Sequence, residues 1–128
     1  MPSPNTLLTD QIEQLLSTDG PLRIVSAGAP VLRAAALPYE GQLSPALLAR
    51  FVSALRTTMH TAPGVGLAAP QVGVPLRIAV IEDPATVPPE IQSARTRTPQ
   101  PFRVLINPTY EAVGSDRSAF YEGCLSVP

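Results

Sequence analysis

The 128-residue sequence has no lysine and no tryptophan, one cysteine, Cys124, and one histidine, His60. A single thiol excludes an internal disulfide and agrees with a reducing compartment, so the expected location is the cytoplasm. All nine basic side chains are arginines, balanced by ten acids for a net charge of −1. No basic stripe of the kind a phosphate backbone requires is present, and nucleic-acid recognition is not expected. Residues 1 to 22 contain no basic side chain, and Leu7-Leu8 is soon followed by Thr9 and Asp10, so the segment does not read as a secretion signal. The longest aliphatic run, Ile78-Ala79-Val80-Ile81, is far short of the roughly 20 residues of a membrane helix. A soluble protein without a membrane partner is expected. The 45% of hydrophobic and 15% of charged residues suit one compact domain, neither two full domains nor a disordered chain.

Two amphipathic helices are predicted from periodicity. In residues 7 to 16, Leu8, Ile12, Leu15 and Leu16 fall on one face, and Asp19-Gly20-Pro21 ends the pattern. In residues 45 to 61, Ser44 offers an N-cap, Pro45 takes the first helical position, and Leu48, Phe51, Val52, Leu55 and Met59 share a face. Residues 22 to 43, interrupted by Gly28, Pro30, Pro38 and Gly41, read as an irregular connection. After Gly64 the pattern becomes extended. Residues 77 to 81 and 103 to 106 are rich in Val and Ile and read as strands, and residues 109 to 113 and 118 to 122 as two more, joined by a turn at Gly114-Ser115-Asp116. Residues 84 to 101, with Arg95 and Arg97 among prolines, are expected to be an exposed loop without a packed element.

Two motifs carry chemistry. The first is Gly64-Val65-Gly66-Leu67-Ala68-Ala69-Pro70-Gln71. Its glycines and alanines keep the backbone bare, so that another main chain can approach, and Gln71 offers an amide donor beside that path. Gly64-x-Gly66-x-x-Ala69 also meets the loose dinucleotide fingerprint, but these glycines follow a helix, and Pro70 would interrupt the helix the fingerprint needs. The second motif is Glu122-Gly123-Cys124-Leu125-Ser126. Gly123 lets the backbone turn before the thiol, and Glu122 and Ser126 are polar groups able to fix the geometry around a metal-bound or nucleophilic thiolate.

Together these segments resemble peptide deformylase, whose first two motifs read glycine-x-glycine-x-Ala-Ala-x-Gln and Glu-Gly-Cys-Leu-Ser. The resemblance covers residues 22 to 128 and makes residues 1 to 21 an N-terminal helical extension. It implies an α+β fold in which the 45-to-61 helix packs on short, mostly antiparallel strands. It implies a hydrolase that removes the formyl group from the N-terminal methionine of nascent polypeptides, met at the ribosome, and that acts as a monomer. The family holds one divalent metal, Fe(II) with Zn(II) or Ni(II) as substitutes, on one cysteine and two histidines, and the cysteine corresponds to Cys124. By the same resemblance the Gln71 amide and the Leu125 N–H meet the oxyanion, while Gly64, Val65, Gly66, Leu67, Glu122 and Gly123 line the peptide path, Gly66 pairing with it as an added strand.

The sequence departs from the family in its third motif, His-Glu-x-x-His, which supplies the other two ligands and the general base and does not occur in these residues. His60 falls beside the polar edge of its helix, at a position that is not a ligand in the family. The expectation is therefore a C-terminally truncated deformylase: a fragment with an incomplete domain over residues 22 to 128, inactive by itself. Without the metal-binding helix, the strands at 77 to 81 and 103 to 106 are expected to lose their main packing partner and the chain to fold poorly. One alternative stays open, a catalytically dead relative that binds peptides; a hydrolase using Cys124 as nucleophile would lack a histidine base within reach.

Overall fold

The structure, a computed structural model, describes residues 1–128. Helix α1, Pro4–Leu16, begins where Ser3 accepts the Thr6 N–H and Pro4 takes a first position at which its missing donor costs nothing. Its buried residues, Leu8 and Ile12, lie one turn apart. A four-residue helical turn, α2, Pro30–Arg33, sits in the otherwise irregular connection that follows. Helix α3, Pro45–Thr61, repeats the opening of α1, with Ser44 accepting the Leu47 N–H at 3.2 Å. Its buried stripe is Leu47, Phe51, Leu55, Thr58 and Met59, and Leu48 and Val52 are only half buried beside it. Thr58 is the polar member; its hydroxyl accepts the Leu22 N–H at 2.8 Å and donates to the Ala54 carbonyl at 2.7 Å, so its burial leaves nothing unpaired.

Beyond α3 come β1, Gly66–Ala68, a 3₁₀ turn, Ala69–Val72, β2, Ile78–Asp83, a short helix α4, Pro89–Arg95, and β3, Gln100–Ile106. The strands form one antiparallel sheet in the order β1-β2-β3, with Leu67 opposite Val80 and Val80 opposite Val104. Directly paired residues share a face, so Leu67, Ile78 and Val80 look the same way, into the core that Phe51, Leu55 and Met59 of α3 complete. With Leu8 and Ile12 of α1 they belong to a single cluster of 15 buried residues. Gly66 and Ile81 lie on the opposite face. The dinucleotide reading fails here, because Gly66 lies in an antiparallel strand and opens no helix. No helix is long and apolar enough to cross a membrane.

Three sequence expectations need correction. Residues 109 to 113 and 118 to 122 form no strands; they run irregularly, with Tyr110, Val113 and Tyr121 almost fully exposed, because no neighbouring strand completes their hydrogen bonds. Only the turn is recognisable, with Gly114 in the left-handed region at φ 71°. The proline-rich stretch from 84 to 101 contains α4, since prolines at the start of a helix are tolerated and Glu90 and Arg95 suit its two ends. It also contains the first residues of β3, where Pro101 fits a strand at the sheet edge. Finally, α3 covers β2, whose Ile78 and Val80 are 1% and 0% exposed; only the β3 side chains Val104 and Ile106, at 38% and 41%, remain open to water.

Because the core closes through α3, the Phe51→Ala variant should lose about 3 to 5 kcal/mol of stability. Val104→Ser, at the open edge, should change it by less than about 1 kcal/mol. Urea denaturation of the two variants checks this contrast, and equal losses would place the core elsewhere.

Candidate active site

The 3₁₀ turn carries Gln71 and is built to hold it. Pro70 suits the second position of the turn, where its missing donor costs nothing, and Gly73, left-handed at φ 87°, ends it. The Gln71 side-chain oxygen accepts the Ala68 N–H at 2.9 Å, which turns the amide nitrogen outward. That nitrogen donates to the Ser126 hydroxyl at 3.2 Å and lies 3.8 Å from the Cys124 sulfur. The Gln71 carbonyl accepts the Val25 N–H at 2.8 Å, so main chain and side chain are both anchored.

The thiol arrives on the opposite wall. Val127 donates its N–H to the Cys124 carbonyl at 3.0 Å, forming a tight turn, and Ala27 donates to the Ser126 carbonyl at 2.7 Å, docking that turn on the connection before α2. Ser126 is thereby buried, Leu125 half buried, and Cys124 exposed. Gly64 permits the approach: a Cβ there would stand 2.8 Å from the Leu125 Cδ1. The Leu125 N–H makes no hydrogen bond within the chain.

Between the walls runs a groove of about 970 Å³, lined among others by Gly64, Gly66, Gln71, Glu122, Cys124 and Leu125. Val65 and Gly123 also line it; Leu67 does not, because its side chain is buried with 2% exposure and its backbone faces β2. The register leaves the Gly66 N–H and carbonyl pointing away from β2. A Cβ at Gly66 would meet nothing nearer than 3.7 Å, so the fold itself does not demand glycine there. The bare backbone keeps space for something that lies along the strand. In the sequence Ser126 stands out only as a polar neighbour of the thiol; its grip on Gln71 joins residues 55 apart and carries no local signature.

The polypeptide deformylase family profile matches residues 21–128. The chain belongs to the peptide deformylase family. It is 74% identical over 121 residues to peptide deformylase 3 of Streptomyces avermitilis and 67% identical over 127 residues to peptide deformylase 1 of Streptomyces coelicolor, covering 94% and 99% of this chain. It spans 54% and 58% of those relatives, about half of their length. A Met-Ala-Ser-bound crystal structure of the class I type b peptide deformylase of Acinetobacter baumannii superposes with a TM-score of 0.69 at 29% identity, over 87% of this chain and 67% of that one.

Around the groove the charges are paired. Arg97 donates two bonds of 2.8 Å to Asp83, and Arg95 bonds Glu122 at 2.5 Å while its guanidinium lies 4.9 Å from the Phe120 ring centre. On the far side of β2, Glu82 accepts two bonds from Arg56, at 3.1 and 3.0 Å, and lies 2.6 Å from the His60 Nε2. Arg56 first, and then His60, hold the Glu82 carboxyl below its ordinary value against the opposing effect of burial. His60, half exposed, is thus engaged with a carboxylate away from the thiol's wall.

Asp83 gives a test of this pairing. Arg97 lowers its carboxyl value, burial opposes, and the Ala85 N–H adds to the lowering. A folded-state value below the unfolded one stabilises the fold fully above the unfolded value, about 4. That contribution is lost as pH falls through the folded value. The stability gap between the unaltered chain and Asp83→Asn, measured by urea denaturation, should be present at neutral pH and close as the pH falls past the unfolded value and through the lower folded one. A gap independent of pH would refute the pairing.

Proposed function

We propose that this chain carries the peptide-binding edge and the polar half of a deformylase active site, which hydrolyses the formyl group from the N-terminal methionine of nascent polypeptides in the cytoplasm. The observation behind this reading is the Gln71 carboxamide, locked through its oxygen by Ala68 and turned toward the Cys124 wall beside the unpaired edge of Gly66. In the proposed reaction the substrate backbone pairs with the Gly66 N–H and carbonyl as an added strand. This presents its formyl group between Gln71 and Leu125. As the carbonyl carbon becomes tetrahedral, the Gln71 amide and the Leu125 N–H donate to the developing oxyanion; because both donors are already held, no reorganisation is needed at that moment. Gly64, Val65, Glu122 and Gly123 line the path of the peptide.

Deformylases are metalloenzymes, and Cys124 is proposed as the thiolate ligand of one divalent ion, Fe(II) with Zn(II) or Ni(II) as substitutes. These 128 residues do not fit a whole metal centre, for no three His, Cys, Asp or Glu side chains come together in a ligating group. The family's remaining ligands come from His-Glu-x-x-His, which is not part of this sequence. We place the nascent chain at the ribosome as the source of substrate, and the working form as a monomer.

The test is a chimera in which residues 1–128 are continued by the C-terminal part of the Streptomyces avermitilis relative. It should release formate from formyl-Met-Ala-Ser, and Gln71→Ala should lower kcat by about 10²- to 10³-fold with little change in KM. The 128-residue polypeptide assayed alone should release none. A metal-loaded chimera that binds the peptide without turning it over would instead favour the peptide-binding relative, and a change confined to KM would make Gln71 a clamp for substrate.

A further inference from the structure

Helix α1 precedes the segment that the family profile matches, which begins at residue 21. It is nevertheless built into the back of the Gln71 turn. Ile12 is fully buried and Leu8 nearly so, in the same cluster as Val72 and Val74, the two residues that flank Gly73. From the adjoining position on the helix, the Gln11 side-chain amide donates to the Gly73 carbonyl at 2.8 Å. Gly73 is the left-handed residue that closes the 3₁₀ turn, its N–H bonded to the Pro70 carbonyl at 3.0 Å, and Val74 bonds the Ala69 carbonyl at 3.0 Å. Short 3₁₀ turns have poor internal hydrogen-bond geometry and depend on outside contacts for their position. Beside its packing and the Ser126 contact with the Gln71 side chain, two hydrogen bonds reach its main-chain carbonyls from outside: Val25 on that of Gln71 and Gln11 on that of Gly73.

We infer that Gln11 is a positioning residue for the deformylase site, through which α1 sets the orientation of the Gln71 carboxamide from behind. The inference rests on the proposed role of Gln71 but concerns a separate contact. A second link between α1 and the rest of the chain supplies the control. Glu13 bridges Arg50 of α3 at 3.3 Å, with both side chains about half exposed, and does not touch the turn. A helix that merely added stability would make the two links equivalent.

Nuclear magnetic resonance of the 15N-labelled 128-residue chain reads the Gln71 side-chain NH₂ pair directly, the pair being identified by its loss in Gln71→Ala. In Gln11→Met, which keeps length and helical preference but removes the donor, this pair should exchange several-fold faster with solvent and shift toward the free-amide position. Glu13→Ala should leave it unchanged, and Gln11→Lys, which restores a donor to the Gly73 carbonyl, should bring it back. In the chimera, Gln11→Met should lower kcat by about 3- to 10-fold, with KM within about 2-fold, short of the roughly 10²-fold that a full 1 Å misplacement costs. Unaltered Gln71 signals in Gln11→Met, or an equal disturbance in Glu13→Ala, would overturn the inference. An inactive parent chimera would overturn the proposed function instead, while the Gln71 signals still decide the role of Gln11.

Discussion

Helix α3 and strand β2 share one apolar interface, and the alternation of side chains along a strand makes that interface decide the site. With Leu67, Ile78 and Val80 drawn into the core beside Phe51, Leu55 and Met59, Gly66 and Ile81 must face the other way. A slip of one residue in β1 would bury Gly66 and turn Leu67 into the groove. The burial of Leu67 therefore explains both why it contributes nothing to the groove lining and why its glycine neighbour can. The following turn inherits this frame, because the Ala68 N–H that holds the Gln71 oxygen belongs to the last residue of β1.

The acidic pair at the end of β2 serves two different partners. The β2-β3 register shifts between Ile81 and Asp83. Consecutive carboxylates on alternate sides of the strand meet different arginines, Glu82 facing Arg56 of α3 and Asp83 facing Arg97 of the segment between α4 and β3. Beside the groove, the acids Asp83 and Glu122 each hold an arginine, which leaves the lining without an unpaired acid to compete for an incoming backbone N–H. Such a surface suits recognition through main-chain hydrogen bonds.

Much of this was legible in the order of residues, and the exceptions have physical causes. The caps at Ser3 and Ser44 and the stripes of α1 and α3 are local patterns, as are the aliphatic runs of β2 and β3, so their positions could be read within a few residues. The two motifs were visible because each is contiguous, and the resemblance they carry agreed with the family assignment. What escaped were features that depend on distant partners. The segments around Tyr110 and Phe120 have strand-like composition but no strand beside them, and composition cannot supply a hydrogen-bonding neighbour. The contacts of Ser126 with Gln71, and of Gln11 with Gly73, span 55 and 62 positions and follow no spacing rule. Helix α4 was hidden by its prolines, which break helices only when they fall inside them.

The exposed sulfur of Cys124 and the absence of lysine together give the molecule an unusual chemical address book. In the 128-residue polypeptide the one primary amine is that of Met1, which stands three residues ahead of α1, and the one thiol stands on the groove wall near Gln71. Amine-directed and thiol-directed reagents would therefore each modify a single, different place without any engineered substitution. A donor dye on Met1 and an acceptor dye on Cys124 would report the separation between the start of the N-terminal helix and the mouth of the groove, in an otherwise unaltered chain.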